Sequence, residues 1–331
     1  TNLAAVIKAG RATRGGGTGR NRFLSGLVAF QLGVGFVLVN SALVMAVSYG
    51  NVVNQPTNFQ GDVLVASVSL QGPEYLEPDR RRVFWERVLG NIRALPGVTE
   101  AGITSKLPLQ GGSNGGVMVR DQVFDPEIQY NLVEYSFVSE NYLEAMGIGL
   151  LAGRTFDQRD MQSSAVYAGR DSVVAELPLV INRAMAEELW PESEALGEVV
   201  RPYSSDPRWQ GRVVGIVADV RQWGPEREPL PELYFPHTAE VWGPIRGNII
   251  LKAGGDSEAL VSAIREAVHQ VDAEIPVATP FTMARIVRDT TAGRRFSMLL
   301  VALFAATALL LIVAGTYGVV SYAVSQRTHE I

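Results

Sequence analysis

The sequence predicts an α+β domain held between two membrane-spanning helices. Two apolar runs without Asp, Glu, Lys or Arg, at 23–48 and 296–326, indicate the helices. A helix needs roughly 20 apolar residues to cross a hydrocarbon core of about 30 Å, so both runs are long enough. The domain is indicated by strand–helix–strand patterns at both ends of the region between the runs.

The segment before the first run is basic and rich in glycine. It carries Lys8 and the four arginines Arg11, Arg14, Arg20 and Arg22, with no acidic residue. Glycine costs helix stability, so 1–22 is predicted to be a flexible linker without a stable helix. The glycine run lacks the Gly-Lys-Ser/Thr ending of a phosphate-binding loop. The five positive charges place this side of the first span in the cytoplasm.

The first run is interrupted by Gln31, Asn40 and Ser41. Uncharged polar residues in a span are expected to face a partner helix rather than lipid. A signal peptide is the alternative, but the run is longer than the apolar region of a signal peptide and no clear cleavage site follows. With two spans, the region 49–295 is expected to be extracytoplasmic, and the chain is expected to be a piece of a longer protein with a cytoplasmic continuation.

The composition excludes several classes of function. The chain has 331 residues, which allow about two domains. The 29 basic and 34 acidic residues nearly balance, which does not favour nucleic-acid binding. Cysteine is absent, so disulfides, thiol catalysis and thiolate metal sites are excluded.

The extracytoplasmic region begins and ends with similar strand–helix–strand patterns. Near its start, 62–70 alternates like a half-buried strand, 79–95 has the apolar spacing of an amphipathic helix, and 98–105 is a second strand. Near its end, 248–253 is a strand, Asp256 caps the helix that follows, and 276–279 is extended. Two such units predict a split-βαβ, ferredoxin-like layer interrupted by an insertion.

The insertion, 108–237, is predicted to be mostly β. Asn182 is a candidate N-cap for one of its two short helices. The candidate strands are 116–120, 129–138, 179–181, 198–202 and 212–221; the helices lie near 140–146 and 182–190; and the polar stretch 162–176 and the Pro- and Gly-rich stretch 222–231 are predicted loops.

Few residues suggest catalysis. The histidines His237, His269 and His329 have no metal-ligand spacing and are predicted to be at the surface or half-buried. The segment 157–160 has too few oxygen ligands for a calcium loop and is predicted to be a solvated turn. No G-x-S-x-G elbow occurs. The insertion's Trp190, Trp209, Trp223 and Trp242 are predicted to lie in the core or at a subdomain contact.

Several short motifs occur in order along almost the whole chain. They are the ALPGV turn at 94–98, NYLEAMGI at 141–148 followed by LAGRTF at 151–156, VVGIVADVR at 213–221, and GTYGV at 315–319 followed by QRTHEI at 326–331. In this order and spacing the chain resembles the MacB/FtsX-type permeases of ABC transporters, most closely the second half of acidobacterial-type duplicated permeases. The stretch 162–176 is longer than the resemblance leads us to expect.

The resemblance implies a non-catalytic permease subunit of the bacterial inner membrane. A separate ABC ATPase would bind ATP, so no cofactor or metal is expected here, and movement would be relayed to extracytoplasmic domains for export or efflux. The implied partners are that ATPase, another permease half or a second copy, and the lipid bilayer. The residues expected to shape the fold or its coupling are Pro96, Gly97, Gly147, Gly153, Arg154, Gly215, Gly315, Gly318, Arg327 and Glu330.

The resemblance and the periodicity together predict the domain boundaries. They are a cytoplasmic linker at 1–22, spans at 23–48 and 296–326, a porter-like α/β subdomain at 49–107 and 238–295, an inserted sabre-like subdomain at 108–237, and the start of a cytoplasmic segment at 327–331. A two-span sensor with an extracytoplasmic ligand domain has the same topology and remains the alternative. A membrane-anchored enzyme is the third hypothesis.

Overall fold

The fold is described from a computed structural model. It covers residues 16–53, 59, 62–120, 122–127, 130–167, 175–205, 209–224, 226–239, 246–254 and 257–327. The chain divides into two compact units. One comprises Thr1–Asn54 with Thr291–Ile331, and the other comprises Gln55–Thr290.

Two long helices carry the apolar runs. Helix α1 is Gly16–Val53 and helix α7 is Met283–Arg327. Their apolar segments, Gly26–Asn51 and Met283–Ser321, are long and apolar enough to cross a membrane, and nearly all residues in the most apolar part of each are at least partly exposed. The prediction of two such helices is confirmed, although both extend beyond the predicted runs.

The prediction of an unstructured linker is wrong for 16–22, which are the first turns of α1. Adding a residue to an existing helix forms one hydrogen bond for each residue that becomes fixed, whereas starting a helix is costly. The long apolar helix therefore extends into the glycine-rich segment. The rest of the linker, 1–15, lies outside the described residues.

The two ends of the folded unit form one layer of four strands. Its strand order is β11–β1–β10–β2, with every neighbouring pair antiparallel. Because β10 lies between β1 and β2, and β1 lies between β10 and β11, this is the strand order of two interleaved βαβ units. Asp256, the predicted cap, lies outside the described residues. The elements are β1 (Leu64–Ser69), α2 (Pro78–Arg93), β2 (Val98–Thr104), β10 (Arg246–Ala253), α6 (Ser257–His269) and β11 (Phe281–Thr282).

The described residues between β2 and β10 add seven strands and three short helices. Six of the strands pair in a closed ring, β4–β3–β7–β8–β6–β9, because β9 also pairs in parallel with β4. Strand β5 pairs with β8 outside the ring. The elements are β3 (Ser113–Val119), β4 (Asn131–Val138), α3 (Tyr142–Met146), β5 (Leu150–Gly153), α4 (Gln158–Tyr167), β6 (Ala175–Asn182), α5 (Arg183–Leu189), β7 (Val199–Pro202), β8 (Trp209–Val217) and β9 (Glu232–Pro236).

Three of these elements are absent from the sequence predictions. The predicted loop at 162–176 is wrong for 162–167, which belong to α4, and for 175–176, which begin β6; residues 168–174 lie outside the described chain. Helix α4 has ten residues, too few for a clear apolar period. Strand β9 was missed because all five of its residues are buried, so it has no alternation. The four-residue β5 was missed as well.

Three apolar cores hold the folded unit together. One lies under the four-stranded layer, around Trp85 and Ile249, and a second lies inside the ring, around Leu179 and Leu233. The third contains residues of both parts. It includes Val65 and Ile250 of the layer, Val138, Val180 and Tyr234 of the ring, and Tyr142 and Met146 of α3. The layer and the ring therefore share buried surface.

Candidate functional site

Three of the predicted motif residues, Gly153, Arg154 and Gly215, meet where β5 pairs with β8. Gly153 pairs with Gly215 and has φ = 73°, a conformation that favours glycine. The Arg154 N–H donates to the carbonyl of Val214 at 3.0 Å. A Cβ added to Gly215 would lie 2.0 Å from the carbonyl oxygen of Arg154. Both glycines are therefore required by the close approach of two backbones.

The Arg154 side chain continues this contact into α4. Its Nη1 and Nη2 donate to Asp160 Oδ2 at 2.5 Å and Asp160 Oδ1 at 3.1 Å. Asp157 Oδ1 in turn accepts the N–H groups of Arg159 and Asp160. The backbone bond from Asp160 is the main cause that lowers the pKa of the Asp157 carboxyl. The segment 157–160 is thus the capped start of a helix, and its prediction as a solvated turn is wrong.

Two further predicted glycines have left-handed backbone conformations, Gly97 in the turn before β2 and Gly147 at the end of α3. Gly97 follows Pro96 after α2, has φ = 83°, and its carbonyl accepts the N–H of Gly254 at 3.0 Å. Gly147 ends α3 with φ = 73°, and its N–H donates to the carbonyl of Glu144. Gly147 occupies the left-handed position that commonly ends a helix, whereas α2 ends earlier, at Ala94. These residues have a local structural reason, and their role in coupling remains a prediction.

The two apolar helices approach each other through small residues. A Cβ on Gly315 would lie 2.7 Å from Gln31 Oε1, and one on Gly35 would lie 2.2 Å from Ile312 Cδ1. Gly318 has nothing within 4 Å. Of the polar residues expected to face a partner helix, Gln31 does so, whereas Asn40 and Ser41 are exposed. Asn40 instead donates to the carbonyl of Phe36. Arg327 is the last residue of α7, and Glu330 lies outside the described residues.

This geometry predicts that Gly315→Leu weakens the pairing of α1 and α7. Leucine at 315 would push the end of the flexible Gln31 side chain out of the contact, so we expect a cost of about 1 kcal/mol, the lower end for overpacking. We expect a lower apparent melting temperature in detergent micelles. Gly318→Leu, one turn along the same helix, is the matched control and should melt like the unaltered chain. Equal melting of the two variants would contradict the packing role.

A buried charge cluster joins the layer to the ring, and it is absent from the sequence predictions. Lys106 Nζ lies 3.1 Å from Glu134 Oε2 and 3.2 Å from Glu232 Oε1. The three side chains are 9%, 3% and 0% exposed. Lys106 follows β2, Glu134 lies on β4 and Glu232 begins β9. Charged residues are mostly exposed, and they are almost never fully buried unless they are paired. Because the pairing partners are far apart in the sequence, no local pattern distinguishes these three residues from surface charges.

Neutral side chains complete the cluster. Glu232 accepts hydrogen bonds from Gln222 Nε2 at 2.9 and 2.8 Å, from the Tyr234 hydroxyl at 2.8 Å and from Ser136 Oγ at 3.1 Å. Glu134 accepts from Trp223 Nε1 at 3.0 Å. Burial, followed by the charge of Glu232, raises the pKa of the Tyr234 hydroxyl, so Tyr234 stays a neutral donor. The carboxylates are satisfied, and the cluster holds three segments in register.

The predicted histidine positions are partly wrong. His237 is buried, whereas His269 is half-buried as predicted, and His329 lies outside the described residues. Among the tryptophans, Trp190 is buried and Trp209 packs edge-on against Phe235.

Trp223 is 39% exposed, and Trp242 lies outside the described residues. Within the described parts of the chain, no group of three or more His, Asp and Glu side chains could hold a metal ion. The described clusters hold segments of the folded unit in place.

Comparison with known proteins finds no matching family model and no matching curated protein. Solved structures do match. The periplasmic region of MacB from Actinobacillus actinomycetemcomitans is 15% identical, with 70% of this chain and 94% of that chain covered and a TM-score of 0.46. The extracellular domain of the noncanonic ABC-type transporter YknZ from Gram-positive bacteria is 16% identical, with coverages of 66% and 98% and a TM-score of 0.41. Likeness at this level assigns no function.

Proposed function

We propose that the chain is a permease component of a MacB/FtsX-like ABC transporter. The observation that carries this proposal is that motif residues far apart in the sequence lie next to each other where β5 pairs with β8. These residues are Gly153, Arg154 and Gly215. The ordered motifs therefore belong to one fold. The two apolar helices, one before and one after that fold in the sequence, support a position in a membrane, with the folded unit outside the cytoplasm.

In this proposal a separate ATPase supplies the energy and the chain transmits movement. Helix α7 provides a direct connection, because its first turn packs in the folded unit and the same helix continues as the second apolar segment. Met283 and Ile286 are buried in the core that the layer and the ring share. In this proposal, a shift of the apolar segment would reach that core along α7.

The two parts of the folded unit receive distinct names in this proposal. The four-stranded layer would be the porter-like subdomain, and the ring with its helices would be the sabre-like insertion. The partners would be the ATPase, another permease half or second copy, and lipid. The substrate would be handled by movement of these subdomains, without a catalytic residue in this chain.

The test is purification of the full-length protein from native membranes and identification of what accompanies it. We expect an ABC ATPase whose ATP hydrolysis changes when the permease is present. Ala292→Pro should break α7 next to the folded unit, because proline in a helix interior costs about 3 kcal/mol. This variant should still bind the ATPase but should no longer alter its hydrolysis.

Ala292→Ser is the matched control, because Ala292 is exposed and serine leaves the helix intact. It should behave like the unaltered protein. Purification without any ATPase, but with a signalling protein, would overturn the permease proposal in favour of a membrane sensor. Normal coupling in Ala292→Pro would overturn only the role of α7 as the connection.

A further inference from the structure

His237 is a buried titratable side chain that the proposed relay does not use. It is 6% exposed, and neither ring nitrogen has a hydrogen-bond partner. Buried polar groups are nearly always bonded, so an imidazole without partners is unusual. Burial lowers the pKa of this imidazole, because the charged form is poorly solvated there.

His237 lies in the turn that leaves the ring. It directly follows β9, and its backbone N–H donates to the carbonyl of Val138 on β4 at 2.8 Å. The next residue, Thr238, donates from its hydroxyl to the carbonyl of Met161 on α4 at 2.7 Å. The N–H of Ala239 donates to the carbonyl of Pro236 and thereby closes the turn. This turn, 236–239, therefore ties β9 to both β4 and α4.

The charged groups that face the imidazole come from two elements. Helix α2 contributes Glu86 and Arg93, and Glu140 precedes α3. Arg93 Nη1 and Glu140 Oε1 form an ion pair at 2.9 Å. Burial, the largest effect, and Arg93 oppose a protonated imidazole, whereas the two carboxylates and the nearby Val138 carbonyl favour it. No group donates to or accepts from the ring in its buried position.

We propose that His237 is an acid-sensitive switch that releases the 236–239 turn from β4 and α4. A protonated imidazole carries a positive charge, and the closed turn holds that charge away from water, because His237 is 6% exposed and no side chain bonds either ring nitrogen. It is satisfied only when the turn opens to water or moves toward Glu140. Acid on the extracytoplasmic side would thereby loosen the point at which the ring rejoins the layer. This inference goes beyond the proposed function and does not depend on an ATPase.

The direction of the pH effect follows from linkage. The closed state holds the proton less well than the open state, whose imidazole has an ordinary pKa of about 6.5. The turn is therefore most stable above about pH 6.5 and loses stability as the pH falls below it. One proton changes the ratio of open to closed turn by up to about tenfold per pH unit.

The experiment is hydrogen–deuterium exchange of the full chain in lipid nanodiscs, with protection factors corrected for intrinsic exchange. Between pH 6.5 and 5.5, protection in peptides covering β9 and the turn should fall by up to about tenfold. Protection in β10 should change less. His237→Phe removes no hydrogen bond of the ring, so this variant should keep the turn closed and abolish the pH dependence.

His269→Phe is the matched control, because His269 is half-buried on α6, and it should keep the pH dependence. Hydrogen–deuterium exchange at the imidazole C2 position, measured on the unaltered chain as a function of pH, tests the burial and the pKa of His237 without any variant. His237 should exchange slowly and titrate below 6.5. The proposal is overturned if His237 titrates at or above 6.5, if the turn's protection does not depend on pH, or if the dependence persists in His237→Phe.

Discussion

Replacing Lys106 by methionine should destabilise the folded unit by about 3–5 kcal/mol, because it leaves two buried carboxylates without a cation. Glu134 and Glu232 keep their neutral donors, but those donors cannot balance two negative charges at almost no exposure. For a chain of this size the loss corresponds to a fall in melting temperature of about 10 °C. Tryptophan fluorescence is a suitable probe, because Trp223 donates to Glu134.

Lys252→Met is the matched control. Lys252 is half-buried on β10, outside the cluster, and its loss should change the melting temperature little. In the double variant Lys106→Met with Glu232→Gln, the loss should be clearly smaller than the sum of the two single losses, because the two side chains interact. Equal melting of Lys106→Met and Lys252→Met would show that the cluster does not hold the layer to the ring.

The helices and the four-stranded layer could be predicted because their signals are local. An uncharged run of more than 20 residues is visible without any knowledge of its neighbours. The alternation in β1 and the apolar stripe of α2 likewise appear within one segment. Interleaving β10 between β1 and β2 then follows from the two repeated units.

The closed ring could not be predicted in the same way. Its closure depends on the pairing of β4 with β9, which brings Glu134 opposite Glu232 across almost a hundred residues of chain. Strand β9 is buried throughout and contains Pro236, so neither alternation nor propensity marks it as a strand. The pairing is a tertiary effect, and the segment 232–236 alone does not contain it.

The residues of the candidate site likewise differ in whether they could be predicted from the sequence. Gly97, Gly147 and Gly153 could be singled out because their backbone conformations favour glycine, and such positions recur in short motifs. The Lys106 cluster and His237 could not, because a charged or titratable residue in a sequence looks the same whether it becomes buried or exposed. Only the fold decides which of them lose contact with water.

Gly215→Ala should be the most damaging of the conservative substitutions in the ring. The added Cβ would lie 2.0 Å from the carbonyl oxygen and 3.0 Å from the carbonyl carbon of Arg154. That carbonyl belongs to backbone held by the Arg154 N–H bond to Val214 and by the Arg154–Asp160 ion pair, so it cannot move aside cheaply. We expect a loss of about 3 kcal/mol, at the upper end for overpacking.

Gly149→Ala provides the control, because Gly149 lies just before β5 and has nothing within 4 Å of an added Cβ. It should melt like the unaltered chain, whereas Gly215→Ala should also become sensitive to proteases at β5 and α4. If both variants were equally stable, the backbones of β5 and β8 would have to lie farther apart than the distances given above. The motif glycine would then need a reason outside the fold, such as a contact made only when the folded unit moves.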